Sequence, residues 1–245
     1  MLDPVAAQLV VNARVLQLSW LPAAPDEATA LVPAALRPRA DGEVFLCQYV
    51  VDDGSQTSGF GAFSLTYLGL ALDGLDAPPA GDIPGGGWWT HYLASSPRVR
   101  AYAAARGAPA APGVTRLELR GEQLTAETRV DGTPIIRTVA RVGHTGSRMC
   151  SGHHRFLTIR DGELLTADYP YVAEPVSPFE IESVEFLTPE HPVYALRPAN
   201  PLVIRGGLYS PRVSFAYPPG PHALDDPSAV ADLGSGLGSG LPSGS

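Results

Sequence analysis

The chain has 245 residues and a formal net charge of −8, long enough for one large domain or two small ones. That charge argues against a nucleic-acid backbone or an anionic membrane as partner, and no apolar run approaches the length that spans a bilayer. All 17 basic side chains are arginine, so no side-chain amine is available to any chemistry.

No basic segment followed by an apolar stretch and a cleavage site opens the sequence, and a cytoplasmic location is expected. Cys47 and Cys150 read as a free buried pair, with one disulfide as the alternative.

Strand signals dominate. Residues 10–20 are rich in Val and Leu with partial alternation. Residues 25–35 predict a short helix with Asp26 and Glu27 in its first turn. Strands are expected over 43–51 and 63–72, then a Pro- and Gly-rich loop over 77–87, then a strand over 88–93. Ser95 or Ser96 caps a helix that begins at Pro97 and stops at Gly107. Three strands follow, 114–120, 124–130 and 134–142, joined by the hairpin sequences Arg120-Gly121-Glu122 and Asp131-Gly132-Thr133. Further strands are expected over 155–159, 180–186, 193–196 and 203–209. No internal repeat is present. The pattern predicts a mainly β fold, an antiparallel barrel or cone-like sandwich with a few short helices. The expected domain covers 1–224, and the Gly/Ser-rich 225–245 reads as a disordered tail.

Three segments carry a resemblance. The first joins Asn12-Ala13-Arg14 to the Val-Pro turn and leucine of Val32-Pro33-Ala34-Ala35-Leu36. The second is Thr57-Ser58-Gly59-Phe60-Gly61-Ala62-Phe63, and the third runs from His91-Tyr92-Leu93 through Pro97 to Pro109-Ala110-Ala111. In order and spacing they resemble the acetoacetate decarboxylase family, over about half of the chain, and no alignment extends beyond Val142. Decarboxylases of this family use a lysine made nucleophilic by desolvation and by a second lysine beside it. The two lysine positions match Ala110 and Ala111, so the resemblance implies that the Schiff-base route is gone. A family glutamate matches Leu65, and a second falls near Cys47 or Gln48.

The family's pocket arginine matches Arg14, which can hold a carboxylate through a bidentate pair or serve only as an ion-paired strand arginine. His91 stands where the family places an apolar pocket residue. It reads as a general acid or base, or as a hydrogen-bonded barrel histidine. Strand alternation puts Trp89 and His91 on one face and Trp88 on the other, and it puts Tyr67 with Leu65. The expected site is therefore His91 and Arg14 as catalytic residues, with Trp89, Tyr67, Gln48, Leu65 and Ala110 binding substrate. Core packing is the competing explanation for the tryptophans.

His144, His153 and His154 fall in what reads as a solvated loop, without ligand spacing, and no metal or other cofactor is expected. Residues 147–151 lack the context of a hydrolase nucleophile, and Gly85-Gly86-Gly87 precedes a strand, unlike a phosphate loop. Family relatives serve natural-product pathways. The resemblance thus implies a non-decarboxylating lyase, cyclase or isomerase of secondary metabolism, such as antibiotic biosynthesis. It would cyclise, dehydrate, isomerise or cleave a carbonyl-containing acid or polyketide-like intermediate without a covalent amine adduct. The alternatives are a non-catalytic small-molecule-binding protein and a partner-dependent subunit. A small-molecule partner is expected and self-association is open.

Overall fold

Strands whose two faces are both covered read as continuous apolar runs, and those with one wet face alternate. Both kinds occur in the computed structural model, which describes residues 2–75, 86–144 and 146–224. The expected tail and most of the loop 77–87 lie outside the described residues.

Within them the elements run β1 Gln8–Trp20, α1 Pro25–Thr29, β2 Val44–Val51, β3 Phe63–Leu70, β4 Gly86–Ala94, α2 Pro97–Ala105, β5 Ala110–Pro112, β6 Val114–Arg120, β7 Gln123–Val130 and β8 Thr133–Val142. They continue with β9 Cys150–Arg160, β10 Glu163–Ala173, β11 Phe179–Phe186, β12 Ile204–Tyr217 and β13 His222–Ala223. Seven strands close a barrel in the order β12-β1-β2-β3-β4-β9-β10, and β10 pairs back onto β12 through Tyr171↔Phe215 and Ala173↔Val213. The β4–β9 pairing is parallel, and the other pairings of the ring are antiparallel. A four-stranded sheet, β11-β8-β7-β6, covers one flank. The mainly β barrel with short helices is the expected class.

Two cores result. One fills the barrel, with Phe45, Leu65, Tyr67, Trp89, Tyr92, Phe156, Tyr169 and Tyr217. The other joins the outer barrel face to the flanking sheet, where Leu18, Leu46, Leu68 and Leu93 meet Leu117, Leu124, Ile136 and Val184. β2 and β3 stand between these cores, so nearly all their residues are buried.

Several expected elements are corrected. The first helix ends at Thr29, short of residue 35, because Val32 precedes Pro33 and a residue before proline avoids the helical region. Residues 193–196 form part of a 3-10 helix, Pro192–Leu196, in place of a strand. Pro192 presets its first turn, and His191 Nδ1 accepts from the Val193 N–H at 3.1 Å. The expected strand 155–159 lengthens to Cys150–Arg160, and the expected strand 203–209 extends through Pro211 to Tyr217. Strand β10 was not expected at all, because Pro170 interrupts its sequence. No helix among the described residues is long and apolar enough to cross a membrane.

Candidate functional site

A cavity of about 50 Å³ lies inside the barrel. It is large enough for a few waters or one small molecule. β1 supplies Val15 and Gln17 to its wall, β2 supplies Cys47 and Tyr49, β3 supplies Tyr67, and β4 supplies Trp89. His154 reaches it from β9, Tyr169 and Tyr171 from β10, and Leu208, Val213, Phe215 and Tyr217 from β12. Alternation makes this wall: 213, 215 and 217 point inward on β12, as do 169 and 171 on β10. Among the described residues no Asp, Glu or Arg side chain lines the cavity, and the sequence has no lysine.

The polar groups that do line it are phenols, a thiol, an amide and an imidazole. Burial pushes the Cys47 thiol up to about 12, so it stays protonated near neutral pH. Burial also raises Tyr49 and Tyr67 well above the ordinary tyrosine value. Tyr169 is pushed up to about 12 by burial, against the pull of the Arg106 guanidinium behind it. Tyr49 and Tyr217 share a 2.6 Å hydrogen bond, and Tyr217 shares a second, of 3.1 Å, with Tyr92. Trp89 stacks between Tyr67 and Tyr92, with ring centroids 4.6 and 5.5 Å away. Its Nε1–H is buried with no hydrogen-bond partner among the described residues. His154 Nδ1 lies 3.5 Å from Gln17 Nε2, and its ring contacts Phe45 and Tyr67.

Of the expected site residues, Trp89 and Tyr67 line the cavity together with Cys47. Leu65 belongs to the same interior core but lies off the cavity, beside Tyr49 and Ala94 in the sheet register. Ala110 packs against that core from β5, paired in register with Tyr92. Its neighbour Ala111 faces the outer core.

The other three expected positions are corrected. Gln48 points away from the cavity, because Cys47 points in and the next residue of a strand points out. It bridges barrel and flanking sheet, with Nε2 donating to Thr128 Oγ1 at 2.9 Å and Oε1 accepting from Thr138 at 3.3 Å.

His91 does not share a face with Trp89. A bulge between the pairs Leu68↔His91 and Gly69↔Trp89 inserts Thr90 and reverses the alternation, so Tyr92 takes the inward place. His91 instead lies in a second cleft of about 360 Å³ with Trp88, Pro109 and Pro192, which Trp89 borders as well as the barrel cavity. There Nδ1 meets Thr90 Oγ1 at 2.9 Å, and His191 stands 6.1 Å away, ring to ring. Burial first and His191 second push the His91 imidazole down to about 4.

Arg14 is also turned outward. Its Nε and Nη2 form a bidentate pair with Asp52 at 2.8 and 2.6 Å, and Nη1 donates to the Leu117 carbonyl at 2.5 Å. The positive φ of Asn12 accompanies a register shift between Val10 and Ala13 that fixes this facing.

The sequence reading missed His154, Tyr169, Tyr171 and Tyr217. The sequence around His154 reads as a solvated loop, yet the residue is 5 % exposed inside the barrel. The overlooked signal was Asp161-Gly162, a hairpin pair with both φ values positive, which joins β9 to β10.

No protein-family model and no curated protein matches the chain. Solved structures do. An acetoacetate decarboxylase aligns with a TM-score of 0.62 at 12% identity, covering 89% of each chain. An acetoacetate decarboxylase-like enzyme from Sphingomonas wittichii RW1 gives 0.59 at 15% identity, covering 91% of this chain and 94% of that one. The enduracididine biosynthesis enzyme MppR, complexed with pyruvate, gives 0.56 at 14% identity over 88% of both chains. At such identities the likeness establishes the fold: the barrel is that of acetoacetate decarboxylase.

Proposed function

We propose that this chain is a non-decarboxylating enzyme of the acetoacetate decarboxylase fold that binds a small carbonyl compound in its barrel cavity and moves protons on it without a covalent adduct. The observation that carries the reading is the cavity's lining: phenols, one imidazole and one thiol, in a chain with no lysine. Ala110, which the sequence resemblance pairs with a family lysine, packs against the same interior, and its methyl can form no iminium. The MppR structures with pyruvate, and with the condensation product of pyruvate and imidazole 4-carboxaldehyde, support a keto acid or an aldol-type product as the ligand class. His154 is the proton-transfer group of this proposal, since it is the imidazole among the described residues lining the cavity and lies beside the Gln17 amide. His91 and Arg14 stay outside it, because neither lines the cavity.

The test is exchange of the protons next to the carbonyl in heavy water, followed by NMR for a panel of small ketones and keto acids, with borohydride added in parallel. Exchange above the buffer rate with no reduction-trapped adduct on a side chain is expected. A trapped side-chain adduct, or buffer-rate exchange across the panel, contradicts the proposal. A second reading, ligand binding without turnover, is favoured by one observation: burial holds Cys47 and the cavity phenols in their neutral forms. Binding with buffer-rate exchange distinguishes it.

A further inference from the structure

Hydrogen counting in the barrel singles out one group. Tyr49, Tyr217 and Tyr92 are joined by two hydroxyl contacts, of 2.6 and 3.1 Å, with Tyr217 in the middle. Each phenol carries a single hydrogen. Two contacts consume two of the three, so one O–H is left over. Tyr49 also stands near enough to Tyr92 to act on its hydroxyl, but those two contacts are the ones of hydrogen-bond length among the described residues. All three residues are almost wholly buried, at 2, 4 and 1 % exposed for Tyr49, Tyr217 and Tyr92. A buried donor left unpaired costs on the order of 1–3 kcal/mol. One arrangement that limits the cost has Tyr49 and Tyr92 both donating to Tyr217, which then turns its own hydrogen elsewhere. Tyr49 and Tyr217 line the cavity and Tyr92 does not, and Tyr217 is the hydroxyl in contact with both others. Trp89 brings a second unspent donor, its buried Nε1–H, to the same cavity.

We propose that this trio is an oxygen-binding site, in which Tyr217, polarised by Tyr49 and Tyr92, donates its hydroxyl hydrogen to the carbonyl oxygen of the ligand and stabilises that oxygen as it gains negative charge. The inference rests on the carbonyl reading above and deepens it by assigning the group that holds the oxygen. Tyr217 touches the ligand, while Tyr92 acts through Tyr217 and is a positioning residue. Donation from two neighbours disperses charge drawn onto the Tyr217 oxygen, and a fixed donor in a dry site needs no reorganisation as the charge develops. Burial keeps Tyr49, Tyr92 and Tyr217 in the protonated form that donation requires. Ala110, in register with Tyr92, packs against the same interior core with no polar group of its own. Two neutral donors suit a carbonyl or enolate oxygen better than an ammonium or an alkyl group.

The experiment is difference infrared spectroscopy of acetone and pyruvate, each isotope-labelled at the carbonyl carbon, bound to the full chain. The C=O stretch should fall below its value in an apolar solvent. In Tyr217→Phe it should return towards that value, and in Tyr92→Phe it should return part of the way. Proton exchange on the bound ketone should slow by roughly 100- to 1000-fold in Tyr217→Phe, the usual effect of removing one such donor. If a phenylalanine variant fails to fold, 3-fluorotyrosine at position 217 keeps the shape and strengthens the donor, and the stretch should fall further. A probe that binds with a stretch unmoved by both the fluorinated residue and Tyr217→Phe overturns the trio and leaves the carbonyl reading standing. A protein that takes up neither probe overturns both.

Discussion

Trp89 and His91, two positions apart on β4, part ways: Trp89 belongs to the barrel core and lines its cavity, whereas His91 lies in the second cleft, which Trp89 also borders. The cause lies on the neighbouring strand. Gly69 pairs with Trp89 just past the bulge, and a Cβ there would strike the Trp88 carbonyl oxygen and the Phe45 ring. Only a residue without a side chain lets the two strands approach at that step. Gly69→Ala should therefore destabilise the protein by about 1–3 kcal/mol or more, measured by chemical denaturation. An unchanged midpoint would show that the bulge absorbs the methyl.

The placement of His91 makes stability depend on pH. Its folded pKa of about 4 lies below the ordinary value of 6.5. Between those values the unfolded chain binds the proton and the folded chain does not, so stability is full above 6.5 and falls as pH drops towards 4. The loss attributable to this one group is about 3 kcal/mol at most. Glu127 and Asp168, whose arginine partners hold them below the carboxylate range, lose their contributions only at lower pH. Denaturation midpoints of wild type and His91→Gln compared from pH 7 to 4.5 isolate the histidine, and the variant should show the flatter curve. Parallel curves would contradict the burial of a neutral imidazole.

Gln48 sits at the centre of a buried polar cluster between barrel and flanking sheet. Thr66 Oγ1 lies 2.6 Å from both Thr115 Oγ1 and Thr128 Oγ1, and Gln48 joins Thr128 to Thr138. Gln48→Ala strands hydroxyls that water cannot reach. A loss of roughly 1–3 kcal/mol is expected, with ligand binding intact. A binding defect at unchanged stability would return Gln48 to the cavity.

The Arg14–Asp52 pair is partly exposed, with side chains 31 and 53 % accessible. Such pairs contribute about 1 kcal/mol or less. Arg14→Ala should shift the midpoint by no more than that and should leave the affinity for an acidic ligand unchanged. A large drop in that affinity would assign the arginine to ligand after all.

Much of this was legible beforehand, for physical reasons. Predominantly apolar, β-prone runs at 44–51 and 63–70 mark the wall shared by two cores, and Asp131-Gly132 marks a hairpin. Ala110 was read against a sequence pattern, and its inward facing follows from a gap-free segment. The facing of His91 was not legible, because a one-residue bulge reverses parity without leaving a sequence signal beyond an inconspicuous glycine on the adjacent strand. Tyr169, Tyr171 and Tyr217 were hidden by prolines. Pro170 and Pro211 sit within strands β10 and β12, where proline ordinarily ends a strand. The alternation of Val213, Phe215 and Tyr217 was nonetheless present in the sequence and would have placed all three on one face.

The central claim is that a small carbonyl compound occupies the barrel interior. Saturation-transfer NMR between the protein's aromatic protons and acetone or pyruvate reads this directly, with Cys47→Leu as the partner variant, because a larger side chain at that lining position fills the cavity. The account predicts transfer to at least one probe in the wild type and its loss in a folded Cys47→Leu protein. Equal transfer in both proteins, or none in the wild type, would contradict it.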